Sequence, residues 1–250
     1  MPIDTPIEEP TPKKKSRNER TEAKFLEDAD KFIAEAGRLG AEYQPPNSFA
    51  ATAALTAKRD AVRAQRTTQQ DKRADVDLAS NRAEILFKPL NSRVSSVVEY
   101  TKSAGKTAED IDLLKSTARL ISGKRAGKID ADGKSHSVSH LSRATRADNF
   151  AVFIEQYDAL NLKSNEDMFK TATLRDELAA MRQALSDLIA ANAAADSADE
   201  AFDKLAYTDA DSLLNGCVSG KNYIKAKYKT TGEPYKNISK TRFEMPTRLR

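Results

Sequence analysis

The sequence contains no Trp, a single Cys, nine Gly and nine Pro among 250 residues, and aromatic residues make up only 6% of it. A strand-rich sandwich or barrel needs frequent turns and many β-branched or aromatic residues, so this composition argues against both. Charged residues, by contrast, make up 31% of the chain. Long, well-solvated helices have such a composition. We therefore expect an all-α protein whose core consists of narrow apolar seams.

The sequence also lacks the features of a disulfide-stabilised or membrane-spanning protein. Cys217 is the only cysteine, so no disulfide can form within the chain, and no basic or histidine neighbour lowers its pKa. We expect it to be a small buried apolar residue. No apolar run approaches the roughly 18 residues that a membrane span needs, and the first residues lack the apolar stretch of a signal peptide. We expect a soluble, cytoplasmic protein.

Helical periodicity runs through the first half of the chain. Apolar residues recur three and four apart and predict helices at about residues 21–39, 48–88, 91–103 and 107–123. The second of these segments has no Gly or Pro, and apolar residues recur in it every seven residues, at Leu55, Val62, Val76, Ala83 and Leu90. Gln69 takes the missing position of this heptad seam. The middle of the segment is polar, which leaves open one helix or two, and we favour one.

The second half follows a glycine-punctuated stretch that we interpret as a flexible linker at residues 123–140. Helices are then predicted at about residues 141–160, 166–207 and 209–228. The long middle helix again has no Gly or Pro. Its apolar residues alternate four and three apart, at Leu174, Leu178, Met181, Leu185 and Leu188. The order of elements in the first half is therefore repeated in the second.

Matching residues support an internal duplication. Equivalent positions lie 119 to 121 residues apart, as in the pairs Phe32 and Phe153, Ile33 and Ile154, Leu55 and Leu174, Phe87 and Tyr207, and Val98 and Val218. Generic amphipathic helices would share a period but not loop lengths as well. The sequence therefore predicts two tandem repeats of a three-helix unit with long central helices. The expected organisation is a disordered arm at 1–17, helical repeat 1 at 18–122, the flexible linker at 123–140, helical repeat 2 at 141–230 and a basic C-terminal tail at 231–250.

Several stretches resemble an uncharacterised family of duplicated all-helical proteins from Bacteroidota. They are TEAKFLEDADKFI at 21–33, ALTAKRDAV at 54–62, ILFKPLNSRV at 85–94, YIKAKY at 223–228 and PYKNISKTRF at 234–243. The resemblance implies a Lys-Pro step at the end of each long helix. Lys88-Pro89 keeps this step and Thr208-Asp209 does not, which implies a smoother second corner. The family has no assigned activity, so the resemblance supports only the architecture.

Motifs for catalysis or cofactor binding are absent from the sequence. It contains no GxxxxGK[ST], GxGxxG or GxSxG pattern. His136 and His140 lie four apart, but no further ligand accompanies them, so we predict no metal site there. The carboxylates of Glu27 and Asp28 are expected on a solvated helix face. We therefore predict a non-enzymatic protein with no catalytic, cofactor-binding or metal-binding residues.

Positive charge is concentrated near the C-terminus, where residues 220–250 hold nine Lys or Arg against two Glu. The candidate polyanion contacts are Lys221, Lys225, Lys227 and Lys229, with tyrosines interleaved. Lysines four apart line one helix face and can neutralise phosphates, and tyrosines can stack on bases. Alternatively, the tyrosines are buried and the lysines only face solvent. We favour this second interpretation.

Taken together, these features predict a helical scaffold or binding protein that mediates protein–protein assembly, including self-assembly. Long helices expose large lateral surfaces, and a duplicated unit offers pseudo-symmetric contact faces. The expected partner is another protein or further copies of the chain. The alternative is nucleic-acid or polyanion binding through the basic C-terminal helix and tail.

Overall fold

The structure, a computed structural model, describes residues 17–123 and 142–249. These residues form eight α-helices and no strand, which confirms the all-α prediction. The helices are α1 Arg17–Leu39, α2 Thr52–Phe87, α3 Leu90–Ser103, α4 Ala108–Ile121, α5 Arg143–Ala159, α6 Thr171–Asp203, α7 Leu213–Tyr228 and α8 Glu233–Ile238. Among the described residues, none of the helices is both long and apolar enough to span a membrane.

Local sequence signals set most of the helix ends. Gly40 and Gly105 have φ angles of +50° and +70° after α1 and α3, a conformation that glycine adopts without strain. The Thr107 side chain accepts a hydrogen bond from the backbone N–H of Asp110 and caps the N-terminus of α4. Ser212 caps α7 in the same way. The capping side-chain oxygens accept hydrogen bonds from backbone N–H groups of the first helical turn, which have no carbonyl partner within the helix.

The long helix α2 is continuous, which answers the question of one helix or two. Its 36 residues give a length of about 54 Å. The heptad positions lie on its buried side, at Leu55, Val62, Gln69, Ala83 and the following Leu90, whereas Val76 is half-buried. Gln69 is buried in its predicted position. A single apolar stripe therefore runs along the whole helix despite its polar middle.

The chain divides into two compact units. Among the described residues, unit 1 combines the residues up to Gln69 with those from Ala198 onward, and unit 2 runs from Gln70 to Ser197. Each unit therefore contains helices from both halves of the sequence. The helices α2 and α6 are each long enough for their two ends to lie in different hydrophobic cores. The two compact units therefore do not coincide with the two halves of the sequence. The repeats predicted at 18–122 and 141–230 pair residues of the first half with residues of the second half, and they stay a prediction.

Unit 1 contains α1, α7, α8, the N-terminal part of α2 and the C-terminal part of α6. Its core is rich in aromatic side chains: the Phe25 ring lies 5.0 Å from that of Tyr207, and the Phe32 ring lies 5.8 Å from that of Phe243. Cys217 is buried in this core, as predicted. The aromatic residues are few in the sequence, but unit 1 concentrates them where they pack together.

Unit 2 contains α3, α4, α5, the C-terminal part of α2 and the N-terminal part of α6. Its core includes Phe150 and Phe153 of α5. The half-buried Arg146 guanidinium donates to the carbonyl oxygens of Ile121 at 3.1 Å and Phe87 at 3.4 Å. These carbonyls end α4 and α2, so one cation binds the negative ends of two helices.

The corner before α7 is longer than the corner before α3. Two residues lie between Phe87 and Leu90, whereas five lie between Tyr207, which the sequence pairs with Phe87, and Leu213. The extra length lies in a π-helical turn, Lys204–Thr208, and the residues that follow it. The second corner therefore differs from the first in length, and the smoother course that the resemblance implies stays a prediction.

The longer corner changes which residues of α3 and α7 correspond under the predicted duplication. The buried residues of α3 match those of α7 at a spacing of 123, in the pairs Leu90 and Leu213, Val94 and Cys217, Val97 and Gly220, and Thr101 and Ile224. The predicted pairing of Val98 with Val218 does not hold, because Val98 is buried and Val218 is 37% exposed. The three inserted corner residues account for the shift.

The C-terminal segment packs against unit 1 and is not a free tail along its described part. It forms α8 and then runs extended, with Ile238 and Thr241 buried and Phe243 packed on the core. The backbone N–H of Arg242 donates to Asp28 at 3.0 Å. Asp28 is therefore buried, which corrects its expected position on a solvated face, whereas Glu27 is exposed. The predicted arm and linker, with His136 and His140, lie almost entirely outside the described residues.

Candidate binding groove

Unit 2 contains an open groove of about 630 Å³, where the end of α2 meets the start of α3 and the start of α6. A 3-10 turn, Asp167–Phe169, contributes one end of it. Its lining comprises Ile85, Leu86, Pro89, Leu90, Arg93, Met168, Thr173, Asp176, Glu177, Ala180 and Met181. The volume falls within the range of about 300–1,000 Å³ that is usual for ligand sites.

Two large apolar side chains at this groove face solvent. Ile85 is 69% exposed and Met168 is 42% exposed. Pro89 is exposed as well, and its ring rigidifies the corner between α2 and α3. Single exposed apolar residues are common on soluble proteins, but apolar groups that line one concave surface suggest a binding site.

An ion pair lies at the groove. Arg93 of α3 donates from Nε to Glu177 Oε2 at 2.9 Å, and its Nη2 lies 2.7 Å from Glu177 Oε1. This two-point contact holds the side chains in a fixed geometry. Because each charge already has a partner, an apolar group can occupy the groove without leaving either ion unpaired.

The Arg93 position of α3 corresponds to Gly216 of α7 at a spacing of 123 residues. In unit 1, a Cβ added to Gly216 would lie 2.6 Å from Leu55 Cδ2 and 3.1 Å from the Phe49 carbonyl oxygen. The glycine therefore lets α7 approach its neighbours closely. In unit 2, the long Arg93 side chain lines the groove instead.

Asp176 supplies a free negative charge beside the groove. Its side chain is exposed and makes no hydrogen bond or ion pair with the described part of the chain. Glu177, the next residue, is bound by Arg93. The groove thus combines an apolar lining, a satisfied ion pair and one carboxylate available to a positively charged ligand group.

The four candidate lysines near the C-terminus do not form one free stripe. Lys221 is half-buried, and its Nζ donates to the Thr241 carbonyl oxygen at 2.6 Å and to the Ser239 carbonyl oxygen at 3.3 Å. Burial lowers the pKa of Lys221. Its amino group therefore holds the C-terminal segment against α7.

The other three lysines are exposed, but they differ in their contacts. Lys227 donates to the Glu42 carbonyl oxygen, and Lys229 follows α7 with a φ of +56°. Lys225 lies on the same face of α7 as Lys221 but faces solvent. Between them, Ile224 is buried and Tyr223 is partly buried against the core, as the interpretation that we favoured predicts.

Burial perturbs several titratable groups in a direction that reduces their reactivity. It raises the pKa of Tyr157 to about 12 and raises the pKa values of Tyr43, Tyr207 and Cys217 as well. A raised pKa lowers the fraction of thiolate or phenolate, which is the nucleophilic form. Across residues 17–123 and 142–249, no three His, Cys, Asp or Glu side chains cluster as metal ligands would.

The sequence interpretation missed the groove, although one signal for it was present. Leu78 and Ile85 lie on α2 off the heptad positions that Ala83 and Leu90 continue, and both are exposed. A large apolar residue outside the heptad positions does not pack into the core that those positions help to form. Such residues mark surfaces that are open to a partner.

Comparison with known proteins brings no further information on the site. No protein-family model, curated protein or solved structure matches the chain. Its function must therefore be inferred from its own geometry.

Proposed function

We propose that the protein is a non-enzymatic helical scaffold that takes part in protein–protein assembly through the groove of unit 2. The observation that carries the proposal is the exposure of Ile85 and Met168 beside an apolar concave surface. Grooves between helices commonly receive the apolar face of a partner helix. Burial of one large apolar side chain in such a groove contributes about 1.5–3 kcal/mol.

The rigidity of the groove supports this function. Pro89 fixes the corner on one side, and the two-point Arg93–Glu177 contact ties α3 to α6 on the other. A preformed groove loses little conformational entropy when a partner binds, so more of the apolar contact energy contributes to affinity. A surface that contacts only solvent would gain nothing from this rigidity.

Within residues 17–123 and 142–249, no side chain has the properties of an activated catalytic group, which supports a binding role over catalysis. A catalytic nucleophile or general base needs a pKa tuned toward neutrality and a neighbour that activates it. The perturbed phenols and the thiol of this chain have raised pKa values because they are buried. The groove offers Asp176 and the Arg93–Glu177 pair, which suits recognition of charge.

Polyanion binding through the C-terminal helix has less support. Lys221 donates to backbone carbonyls, and Arg248 contacts two carboxylates, so part of the positive charge is neutralised within unit 1. The exposed cations of this region are Lys225, Lys227, Lys229, Lys236, Lys240 and Arg242. They keep polyanion binding as the alternative, because exposed cations can neutralise phosphates.

Photo-crosslinking tests the proposed function. A benzoylphenylalanine introduced at Ile85 should give a covalent adduct with a protein, either a second copy of the chain or another protein, in cells that express the full chain. The control is the same residue introduced at Val152, which is 51% exposed on α5 in the same unit. Equal adduct yields at the two positions, or none at either, would contradict the proposal.

We also propose that the two halves of the chain are diverged copies of one unit. In unit 2 the Tyr100 hydroxyl donates to the Lys163 carbonyl oxygen at 3.4 Å, and in unit 1 the Tyr223 hydroxyl donates to the Glu42 carbonyl oxygen at 3.3 Å. Lys163 and Glu42 are 121 residues apart, the spacing of Phe32 and Phe153. Unrelated helical segments would not share both a spacing and a tertiary contact.

Matching turns add to this proposal. A 3-10 turn, Ser48–Ala50, precedes α2, and the turn Asp167–Phe169 precedes α6 at a spacing of 119. An experimental structure tests the duplication by superposition of residues 23–104 on residues 144–228. We expect the same helix order with three residues inserted before α7, and a different helix order would contradict the duplication.

A further inference from the structure

Helix α4 of unit 2 has an apolar stripe on its outer face. Leu113 is 53% exposed and Leu120 is 50% exposed, and their seven-residue spacing places them on one side of the helix. The adjacent residues Leu114 and Ile121 are buried in the core of unit 2. Each pair of neighbouring apolar residues thus directs one side chain inward and one outward, and about half of each outward side chain is open to solvent.

The stripe has a positive charge at one end. Arg119 is exposed beside Leu120 and makes no hydrogen bond or salt bridge with the described residues, although Asp112, earlier on the same face of α4, is near enough to interact with its charge. It therefore complements Asp176, the unpaired carboxylate of the groove. The groove offers an apolar lining and an unpaired carboxylate. A ligand that carries a positive group next to an apolar side chain would therefore complement it.

The dimensions of the two surfaces agree. Leu113 and Leu120 are separated by about 10.5 Å along the helix axis, because each residue rises about 1.5 Å. Thr173 and Ala180, which both line the groove on α6, have the same seven-residue separation. Two leucine side chains can therefore lie along the groove beside Thr173 and Ala180. Asp176 lies between these two positions near the start of α6, so Arg119, next to Leu120, would be about one helical turn from it.

We propose that α4 of one copy of the chain docks in the unit 2 groove of a second copy, with Leu113 and Leu120 against its apolar lining and Arg119 paired with Asp176. This inference rests on the proposed function and specifies its partner. The docked surfaces differ, so the contact is heterologous. Each copy then keeps one free groove and one free α4, and assembly continues into a ring or a filament.

Charge reversal tests this pairing in the full chain. Light scattering after size-exclusion chromatography, over a range of concentrations, should give a mass above 27.5 kDa for the natural sequence. Asp176→Arg and Arg119→Glu should each weaken assembly by about tenfold, because each places like charges together. The double variant Asp176→Arg/Arg119→Glu should restore assembly. Asp196→Arg, at an exposed acid further along α6, serves as the control and should leave assembly unchanged.

The outcomes separate this inference from the proposed function. Single variants that assemble like the natural chain, or a double variant as weak as the singles, would overturn the α4–groove pairing. A natural chain that stays at 27.5 kDa at every concentration would overturn it too. In that case, a crosslinked adduct of position 85 with another protein would leave the proposed function in place, and the lack of any adduct would remove both.

Discussion

Arg248 binds Asp203 through two parallel hydrogen bonds, from Nη2 to Oδ1 at 2.6 Å and from Nη1 to Oδ2 at 2.8 Å. Its Nη2 also lies 3.3 Å from Glu22 Oε1. Both carboxylates are largely buried, and Arg248 comes from the last turn of the C-terminal segment. A residue in the predicted basic tail is therefore part of the folded structure of unit 1.

Replacement of Arg248 tests how much this contact stabilises unit 1. Arg248→Ala should lower the free energy of unfolding by about 2–3 kcal/mol, because it removes the cation that two buried carboxylates contact. Urea denaturation followed by circular dichroism measures the change. Arg242→Ala is the matched control: its side chain is exposed, and the contact to Asp28 comes from its backbone N–H. Equal losses in the two variants would contradict the role of the Arg248 charge.

Acidification should destabilise unit 1 through Glu35. The hydrogen bond from Arg38 lowers the pKa of the Glu35 carboxyl, although burial opposes the shift. A group with a lowered folded-state pKa stabilises the fold above its unfolded pKa, about 4.3 for Glu, and loses this contribution as the pH falls further. We expect the unfolding free energy of Glu35→Gln to fall less steeply below about pH 5 than that of the natural chain. Parallel curves would contradict this prediction.

Two glycines should respond in opposite ways to substitution by alanine. A Cβ at Gly220 would lie 2.2 Å from Tyr43 Oη and 2.5 Å from Phe32 Cζ, inside the unit 1 core. Gly220→Ala should therefore cost about 3 kcal/mol through overpacking. Gly37 of α1 has no atom within 4 Å of its added Cβ, so Gly37→Ala should stabilise the chain by about 0.5–1 kcal/mol. Thermal unfolding of both variants measures the difference, and a neutral Gly220→Ala would show that α7 is not closely packed.

Nucleic-acid binding should be absent or insensitive to the exposed lysines. We expect no change in fluorescence anisotropy when labelled single- or double-stranded DNA is mixed with the chain at low salt. If binding occurs through phosphates, Lys225→Gln/Lys229→Gln should flatten the log–log salt slope by about two units. Such a result would support the polyanion alternative and weaken the scaffold proposal.

Helix positions were predictable because helical periodicity is a local property. The heptad residues from Leu55 to Leu90 are buried or half-buried as the spacing predicts, since side chains seven apart return to the same helix face. The end of the first helix, predicted at residue 39, is also correct, since α1 ends at Leu39. Such signals depend on a few neighbouring residues.

Contacts between distant segments were not predictable in the same way. Asp28 appears as an ordinary solvated acid in the sequence, but it is buried, and the backbone N–H of Arg242, more than 200 residues later, donates a hydrogen bond to it. The groove likewise brings together segments that are far apart in the sequence, since Arg93 of α3 lines it and is paired with Glu177 of α6.

A mixing experiment with two complementary variants tests most directly whether the chain assembles through the groove. Ile85→Lys disables the groove but keeps α4, and Leu120→Lys disables the α4 stripe but keeps the groove. Both side chains are at least half exposed, so neither change should unfold the protein, and circular dichroism checks this. Each variant alone should have a mass of 27.5 kDa, and an equimolar mixture should form a one-to-one complex of twice that mass. Variants that still assemble alone, or a mixture that stays monomeric where the natural chain assembles, would contradict the account.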